Sequence, residues 1–226
     1  MAVPAPDPRA VRAASVDELR RMRLPLPPPQ FPLVWEPGDQ VELRPTAEIE
    51  ARTAILHLVL ARCFGMPPDA AMSWLLASHL VEQVTPPEWQ FVVVGKGDHR
   101  SFVLHHEAVA ALAWVLGLTK HLDPEAPPDD RLADQLPHLP AGETFAQWRS
   151  RSLAAPRAAV ECAIVLDLYY CLDWAYLEAE RQGMPPPGEI DANSIGQRRW
   201  ALEWAVVLHG PYHDPPAGWE EIDLST

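Results

Sequence analysis

The 226-residue sequence has few cysteines: it contains only Cys63, Cys162 and Cys171, and no C-x-x-C pair. Cys162 and Cys171 are nine positions apart on one predicted helix. Helix geometry therefore places them on opposite faces, too far apart for a disulfide within that helix. This pattern predicts buried free thiols in a reducing compartment and a fold that needs no disulfide framework.

Long apolar runs are also missing. The N-terminal residues MAVPAPDPRAVRAA contain no apolar core of the kind found in a signal peptide. The longest uncharged apolar run, residues 108–119, is too short to span a bilayer. We therefore expect a cytoplasmic protein that does not enter a membrane.

Basic residues are scarce. The chain has 18 Lys and Arg against 31 Asp and Glu, a formal net charge of −13. Residues 1–45 are neutral, with six Arg and six acidic residues, so the whole excess lies in residues 46–226. A surface of this sign repels nucleic-acid phosphates and anionic lipid headgroups, which argues against nucleic-acid binding. It leaves basic proteins and cationic small molecules open as partners.

Recognisable catalytic motifs are absent. There is no G-x-S-x-G sequence, and in Gly95-Lys-Gly97 the lysine lies between the glycines, whereas a phosphate-binding loop places it after the last one. We interpret this segment as a turn. The sequence predicts no catalytic residue and no cofactor.

The histidines give no metal-binding spacing either. His79 and Glu82 share a helical face, but no paired Glu-x-x-His motif accompanies them. His105 and His106 are adjacent and point in different directions, so one ion would not bind both. His209 and His213 flank Gly-Pro-Tyr in a loop and are expected to face solvent. We predict no metal site.

Proline, by contrast, is abundant, with 26 residues, more than twice the usual share of about 5%. Ten prolines lie between Pro4 and Pro45, and a second group lies between residues 124 and 140. Because proline disrupts helices and central strands, residues 1–45 are predicted to form a Pro-rich arm packed on the rest of the protein. It would contain one short helix, which starts at a Ser15–Glu18 capping box.

The remaining sequence predicts an all-α fold. The pattern indicates an irregular bundle of five or six helices in a single domain of residues 46–226, with at most a minor extended segment near residues 91–96. TPPE at residues 85–88 is a capping box with proline at the first helical position. The main helices are predicted at residues 46–64, 69–84, 101–116, 145–152, 155–181 and 194–208.

Several polar residues lie within these apolar helices. Asp167, Tyr170 and Trp174 share one helical face. A buried charge needs a partner, so we expect an acid of this group to pair with an arginine, with Tyr170 adding a hydrogen bond. The set is either an ion-pair network that fixes the helices or the floor of a ligand cleft. Its members are Arg52, Glu107, Asp167, Tyr170, Trp174, Arg198 and Arg199.

Seven segments along nearly the whole chain form a recognisable series. They are LPLP (24–27), EIEAR (48–52), TPPE (85–88), HEAVAALAWVLGL (106–118), DLYYCLDWA (167–175), RRWALEW (198–204) and the acidic ending WEEIDLST (219–226). In order and spacing they resemble the bacterial domain-of-unknown-function family DUF4272. Residues 90–100 depart from that pattern, being more apolar and richer in glycine. The resemblance implies a helical fold and brings no activity, so it assigns no site residue.

Two functions are consistent with this sequence. The acidic domain and the nine tryptophans, a residue type enriched at binding hot spots, favour a non-enzymatic bacterial protein with a protein partner, such as an accessory or immunity-type factor. The alternative is an enzyme or small-molecule binder that uses Glu107, Asp167 and Arg198 in a helical cleft. The sequence does not indicate the oligomeric state.

Overall fold

The computed structural model describes residues 1–152 and 155–225. They contain nine α-helices and three short strands, and 57% of the structure is helical against 4% strand. The mostly helical prediction is confirmed, but the predicted number of five or six helices was wrong. The helices are α1 (Pro8–Arg21), α2 (Thr46–Cys63), α3 (Pro68–Ser78), α4 (Pro86–Trp89), α5 (His99–Val103), α6 (His105–Val115), α7 (Phe145–Arg151), α8 (Ala159–Arg181) and α9 (Ala192–Ala205).

The chain divides into two units. Unit one comprises Met1–Arg44, Asp123–Pro127 and the described residues from Arg157 onward. Unit two comprises Pro45–Leu122 and the described residues of Pro128–Pro156. The predicted arm of residues 1–45 and domain of residues 46–226 stay a prediction.

Helix α8 is the centre of unit one, and both α1 and α9 pack against it. Helix α1 begins with Pro8 at its first turn, and the side chain of Asp7 accepts a hydrogen bond from the Arg9 amide. Val11, Ser15 and Leu19, four residues apart, form its buried face. The predicted start of this helix at Ser15 was therefore wrong, because the Asp7-Pro8 signal lies about two helical turns further upstream and Ser15 is interior.

Unit one also contains a small antiparallel sheet that the sequence did not predict. Its strands are β1 (Val3–Pro4), β2 (Gln40–Leu43) and β3 (Val206–His209), in the order β1-β2-β3. Gln40 lies opposite His209, and Leu43 opposite Val206. The helix predicted for residues 194–208 thus ends at Ala205, where β-branched residues of β3 find a partner strand in β2.

Unit two is built on the packing of α2 against α6. The buried alanines of α6 allow close approach of α2, which is itself buried from Ile49 to Leu60 except at His57. The capping box at Thr85 and Glu88 is confirmed, with the Glu88 carboxylate accepting the Thr85 amide at 2.9 Å. Two predicted helices are shorter than expected: His79 takes a left-handed conformation after α3, and Leu104 separates α5 from α6.

The segment predicted to be extended near residues 91–96 is a π-helical turn, Gln90–Val94. Its three valines favour a strand, yet the turn continues α4 and packs against α3, with Phe91 and Val92 buried. Phe91 stacks on Phe102 at 4.4 Å between ring centroids, and Gly95 ends the turn with a positive φ of 73°. Tertiary packing therefore overrides the local strand preference here.

Candidate functional site

Arg199, on α9, is a charged residue of unit one that is only 1% exposed and contacts several other groups. Its Nη1 donates to Asp173 Oδ2 at 2.6 Å and to the carbonyl of Leu224 at 3.1 Å. Its Nε donates to Glu203 Oε1 at 2.6 Å. The guanidinium carbon lies 4.6 Å from the centre of the Tyr170 ring, a cation–π contact. Arg199 therefore joins α8, α9 and the C-terminal segment.

Asp167 is also buried, but its partner is a residue of α1. Arg12 Nη2 donates to Asp167 Oδ1 at 2.7 Å, and the Ser15 hydroxyl donates to Oδ2 at 2.7 Å. The Arg12 guanidinium also lies over the rings of Phe31 and Tyr170, at 5.3 and 5.6 Å. This cluster anchors α1 to α8, as the buried face of α1 requires.

Arg198 contacts a different part of unit one, the segment Asp123–Pro127. It donates to the carbonyls of Asp123 and Ala126 and to the hydroxyl of Tyr169, at 3.2 Å for the hydroxyl. Arg198 therefore fixes the Asp123–Pro127 segment within unit one. Trp174 is half-buried against Phe31, with 5.8 Å between the ring centroids.

The other two residues of the predicted set belong to unit two. Arg52 is paired with Glu88 at 2.6 Å and also donates to the carbonyl of Gln83, so it completes the capped start of α4. Glu107 is buried in α6.

For Asp167, the observed partner differs from the predicted ones. Asp167 pairs with Arg12 rather than with Arg52, Arg198 or Arg199, and Arg199 pairs with Asp173 and Glu203. Tyr170 contributes ring contacts to two guanidinium groups instead of the hydrogen bond that was predicted. The 3.6-residue helical period indicated which polar residues lie within the apolar helices. Their partners lie in distant segments of the chain, which helical spacing does not predict.

A cleft of about 510 Å³ opens over this part of unit one. Helix α8 contributes Tyr170 to its lining, and α9 contributes Arg199 and Glu203. The wall opposite is made of residues 33–34, β3 and the C-terminal segment from Tyr212 to Ser225. Neither Asp167 nor Arg198 lines it. A second cleft of about 570 Å³ shares Glu203 and the C-terminal segment with the first and adds Glu221.

The C-terminal segment is held in place by buried anchors. Trp219 and Ile222 are both buried. Trp219 contacts the rings of Trp200 and Trp204, and Arg44 donates to the carbonyl of Pro216. Thr226, the last residue of the acidic ending, lies outside the described residues.

Burial raises the pKa of two carboxyls bonded to Arg199, those of Glu203 and Asp173, although the Arg199 guanidinium acts in the opposite direction on both. Burial also raises the pKa of Tyr170. The amide of Ser225 donates to Asp223 and lowers the pKa of that carboxyl.

Two cleft residues that sequence reasoning missed are Glu203 and His213. Glu203 lies four residues after Arg199, an i,i+4 spacing that helix geometry pairs on one face. His213 was expected in solvent, but it lines the cleft and bonds to the buried carboxylate of Asp39 at 2.8 Å. The available signal was a pair of proline turns, EPGD at residues 36–39 and GPYH at residues 210–213. His209 is exposed as expected.

Within the described residues, no group of three His, Cys, Asp or Glu side chains is placed to hold a metal ion. No helix of that part of the chain is long and apolar enough to cross a membrane.

Comparison with curated proteins and with solved structures gives no match. A family model described as a domain of unknown function (DUF4272) matches residues 12–222, which include unit two, most of unit one and all lining residues of the cleft except Asp223 and Ser225. The chain belongs to the DUF4272 family.

Proposed function

We propose that the protein binds a small organic cation in the cleft of unit one. The observation that carries the proposal is the cleft itself, because about 510 Å³ lies within the usual range of roughly 300–1,000 Å³ for small-molecule sites. Its lining combines apolar residues with a few charged and aromatic side chains, which is the usual composition of such sites.

The charge of the cleft favours a cation. Among the described residues, Arg199 is the one guanidinium of its lining, and the carboxylates of Asp173 and Glu203 already offset that charge. Three further acids, Asp214, Glu221 and Asp223, line the two adjoining clefts, and no other Arg or Lys of the described part of the chain lines either of them. An anionic ligand would meet a repulsive field there, whereas an ammonium group would be attracted.

Tyr212 provides an aromatic surface for the same ligand. It lines the cleft and is 84% exposed, so its ring face is open to a partner. A cation over a tyrosine ring gains about 0.5–1 kcal/mol at an exposed site. The Tyr170 ring, in contrast, already lies under Arg199.

The test compares three ligands of nearly equal size and different charge: benzylammonium, benzyl alcohol and benzoate. Titration of the ¹⁵N-labelled protein would follow the amide signals of residues around the cleft. We expect benzylammonium to bind most tightly and benzoate to bind least. Asp214→Asn combined with Asp223→Asn should weaken benzylammonium binding about two- to fivefold, because two partly exposed charges are lost.

Asp130→Asn is the matched control, since Asp130 is an exposed aspartate of unit two outside both clefts. It should leave benzylammonium binding unchanged. Equal binding of the three ligands, or signal changes that lie away from the cleft residues, would contradict the proposal.

A protein partner is the second candidate, but the tryptophans no longer support it. All nine lie in the described part of the chain, and each is buried or half-buried. The observation that favours a partner is instead three exposed apolar side chains of unit two: Phe64, Leu76 and Val94. They lie after α2, on α3 and in the π-helical turn.

Native mass spectrometry of protein purified gently from its own host tests this second candidate. A stoichiometric second chain that is lost in Phe64→Ser and Leu76→Ser variants, and kept in an Ile164→Ser control, would support it. A second chain that is unaffected by these substitutions, or a bare protein, would count against it.

A further inference from the structure

We infer that His213 is the hydrogen-bond acceptor of the cleft and that Asp39 holds it in the required tautomer. This inference deepens the proposed function and rests on it: the ammonium ligand would donate a hydrogen bond to the Nδ1 atom of His213.

Asp39 is placed by a tight turn before β2. The turn runs from Glu36 to Asp39, with Pro37 and Gly38 at its centre, and the Asp39 amide donates to the Glu36 carbonyl at 3.1 Å. Gly38 has a φ of 97°, which glycine adopts without strain. The Asp39 carboxylate is only 5% exposed and accepts the Glu36 amide at 2.7 Å.

The sheet brings His213 to this carboxylate. Because Gln40 pairs with His209, the preceding residue Asp39 lies next to Gly210. A second turn follows, in which the His213 amide donates to the Gly210 carbonyl at 3.3 Å. This turn returns the imidazole to the carboxylate, with His213 Nε2 at 2.8 Å from Asp39 Oδ2.

The close approach requires glycine at position 210. A Cβ atom there would lie 2.0 Å from Asp39 Oδ1 and 2.6 Å from Cγ. A side chain at position 210 would therefore collide with the Asp39 carboxylate. The absence of a side chain there lets two segments that are about 170 residues apart in the sequence come into contact.

The hydrogen bond to Asp39 determines which nitrogen of the His213 ring carries the hydrogen. An ionised carboxylate only accepts hydrogen bonds, so Nε2 must carry the hydrogen. In the neutral ring Nδ1 then has the lone pair. Among the described residues, no protein group bonds to Nδ1, and the side chain is 20% exposed at the cleft.

Charges of both signs surround His213 within the cleft. The charged and titratable groups are Asp39, Tyr170, Arg199, Glu203, Tyr212, Asp214 and Asp223.

His209 offers an internal control. Its Nε2 also bonds to a carboxylate, Glu42, at 2.9 Å. That pair is much more exposed, with 43% of the His209 side chain accessible, and it lies outside the cleft. Solvent therefore competes with Glu42 for the His209 ring, and we expect a mixture of tautomers there.

Long-range ¹H–¹⁵N correlation spectra of the ligand-free protein, recorded above the titration range of histidine, test the dyad. His213→Gln and His209→Gln variants assign the two rings. We expect His213 to show only the Nε2–H tautomer and His209 to show both. In Asp39→Asn the amide can donate to the ring, so the His213 tautomer should change to Nδ1–H while His209 is unaffected.

An Nδ1–H tautomer for His213 in the unmodified protein would overturn the inference. If Asp39→Asn does not fold, the comparison of His213 with His209 in the unmodified protein decides it. This spectrum contains no ligand, so its result is independent of whether benzylammonium binds.

Addition of benzylammonium then tests hydrogen-bond acceptance. We expect an upfield ¹⁵N shift of His213 Nδ1 as it accepts a hydrogen bond, no shift at His209, and no effect of benzoate. Benzylammonium that binds in the cleft and leaves the Nδ1 signal unchanged would overturn the inference while supporting the proposed function. Absence of binding would contradict the proposed function, and with it the inference that His213 accepts a hydrogen bond from this ligand, while the tautomer result would still decide the dyad.

Discussion

The buried charged residues of the two units have different surroundings. In unit two, Arg52 and Glu88 form a pair in which the carboxylate also caps α4, so both charges serve the local fold. In unit one, the central guanidinium of Arg199 meets two carboxylates, and further acids line the cleft beside it. The first arrangement is balanced, whereas the second leaves an excess of negative charge at an opening of ligand size.

This difference shows why burial of a charge does not by itself indicate function. A buried ion pair whose groups are all bonded within the protein has no capacity left for a ligand. In a cleft, groups outside the ion pair can bind a ligand. Here these groups are the acids of the C-terminal segment and His213. The following predictions test the contrast, starting with the largest expected effect.

Arg199→Met should destabilise the protein strongly. It would leave Asp173 buried without its guanidinium partner and would also remove the partner of Glu203, so we expect the free energy of unfolding to fall by about 3–5 kcal/mol. Urea unfolding measures the change. Arg181→Met, which removes a cation that is 72% exposed from a surface pair with Glu178, should cost less than about 1 kcal/mol. Similar losses for both variants would remove the distinction between buried and surface pairs.

Unit two should respond to acid through His57. Burial lowers the pKa of His57 to about 4, whereas the unfolded chain has the ordinary value near 6.5. As the pH falls from about 6.5 to 4, the unfolded state takes up the proton first. The stabilisation from neutral His57 is therefore complete above pH 6.5 and is lost over this interval, by about 3 kcal/mol.

Urea unfolding at pH 7.5 and pH 4.5 measures this loss, with His57→Gln as the comparison. The variant lacks the titrating ring, so its stability should fall less over the same range. A pH dependence that is identical in both proteins would show that His57 titrates normally in the folded state.

Gly210→Ala should disturb the wall of the cleft in unit one. The added methyl group would displace the Asp39 carboxylate, so we expect a loss of about 1–3 kcal/mol and a weaker bond to His213. Gly218→Ala is the control, because the nearest atom to its added Cβ is 3.5 Å away, and it should change stability by less than about 0.5 kcal/mol. Equal changes in stability for the two variants would mean that the Asp39 carboxylate moves aside without a cost in free energy.

The cysteines should differ in reactivity between the units. Burial raises the pKa of both Cys162 and Cys171 to about 12 in unit one. Their thiolate fractions near pH 8 should be roughly a thousandfold below that of an ordinary thiol. Burial also raises the pKa of Cys63 in unit two, but that residue is partly accessible. Alkylation followed by mass spectrometry should modify Cys63 first, and rapid modification of all three would contradict this order.

The helices were predictable where a local signal agreed with the final packing. The capping box at Thr85 and Glu88 and the long apolar pattern of α8 are examples, since capping and helical periodicity involve only neighbouring residues. The local signal at Ser15 gave the wrong helix start because Ser15 instead donates to Asp167, which is 152 positions away. The valines of the π-helical turn were misassigned for the same reason: their environment is set by α3.

The candidate site was predictable in part. Tyr170 and Arg199 were selected because they are polar residues within apolar helices, and both line the cleft. Asp39 and His213 were not, since each lies in a short turn where a polar residue is ordinary. Only the pairing of β2 with β3 makes them neighbours.

The sequence by itself determined the helical class, the acidic charge, the proline-rich segments and membership of the DUF4272 family, because these follow from composition and from short-range patterns. The tertiary structure decided the partners of Arg12, Asp167 and Arg199, the small sheet and the cleft. Each of these depends on contacts between segments far apart along the chain, and helical or strand periodicity contains no information about which distant segments meet.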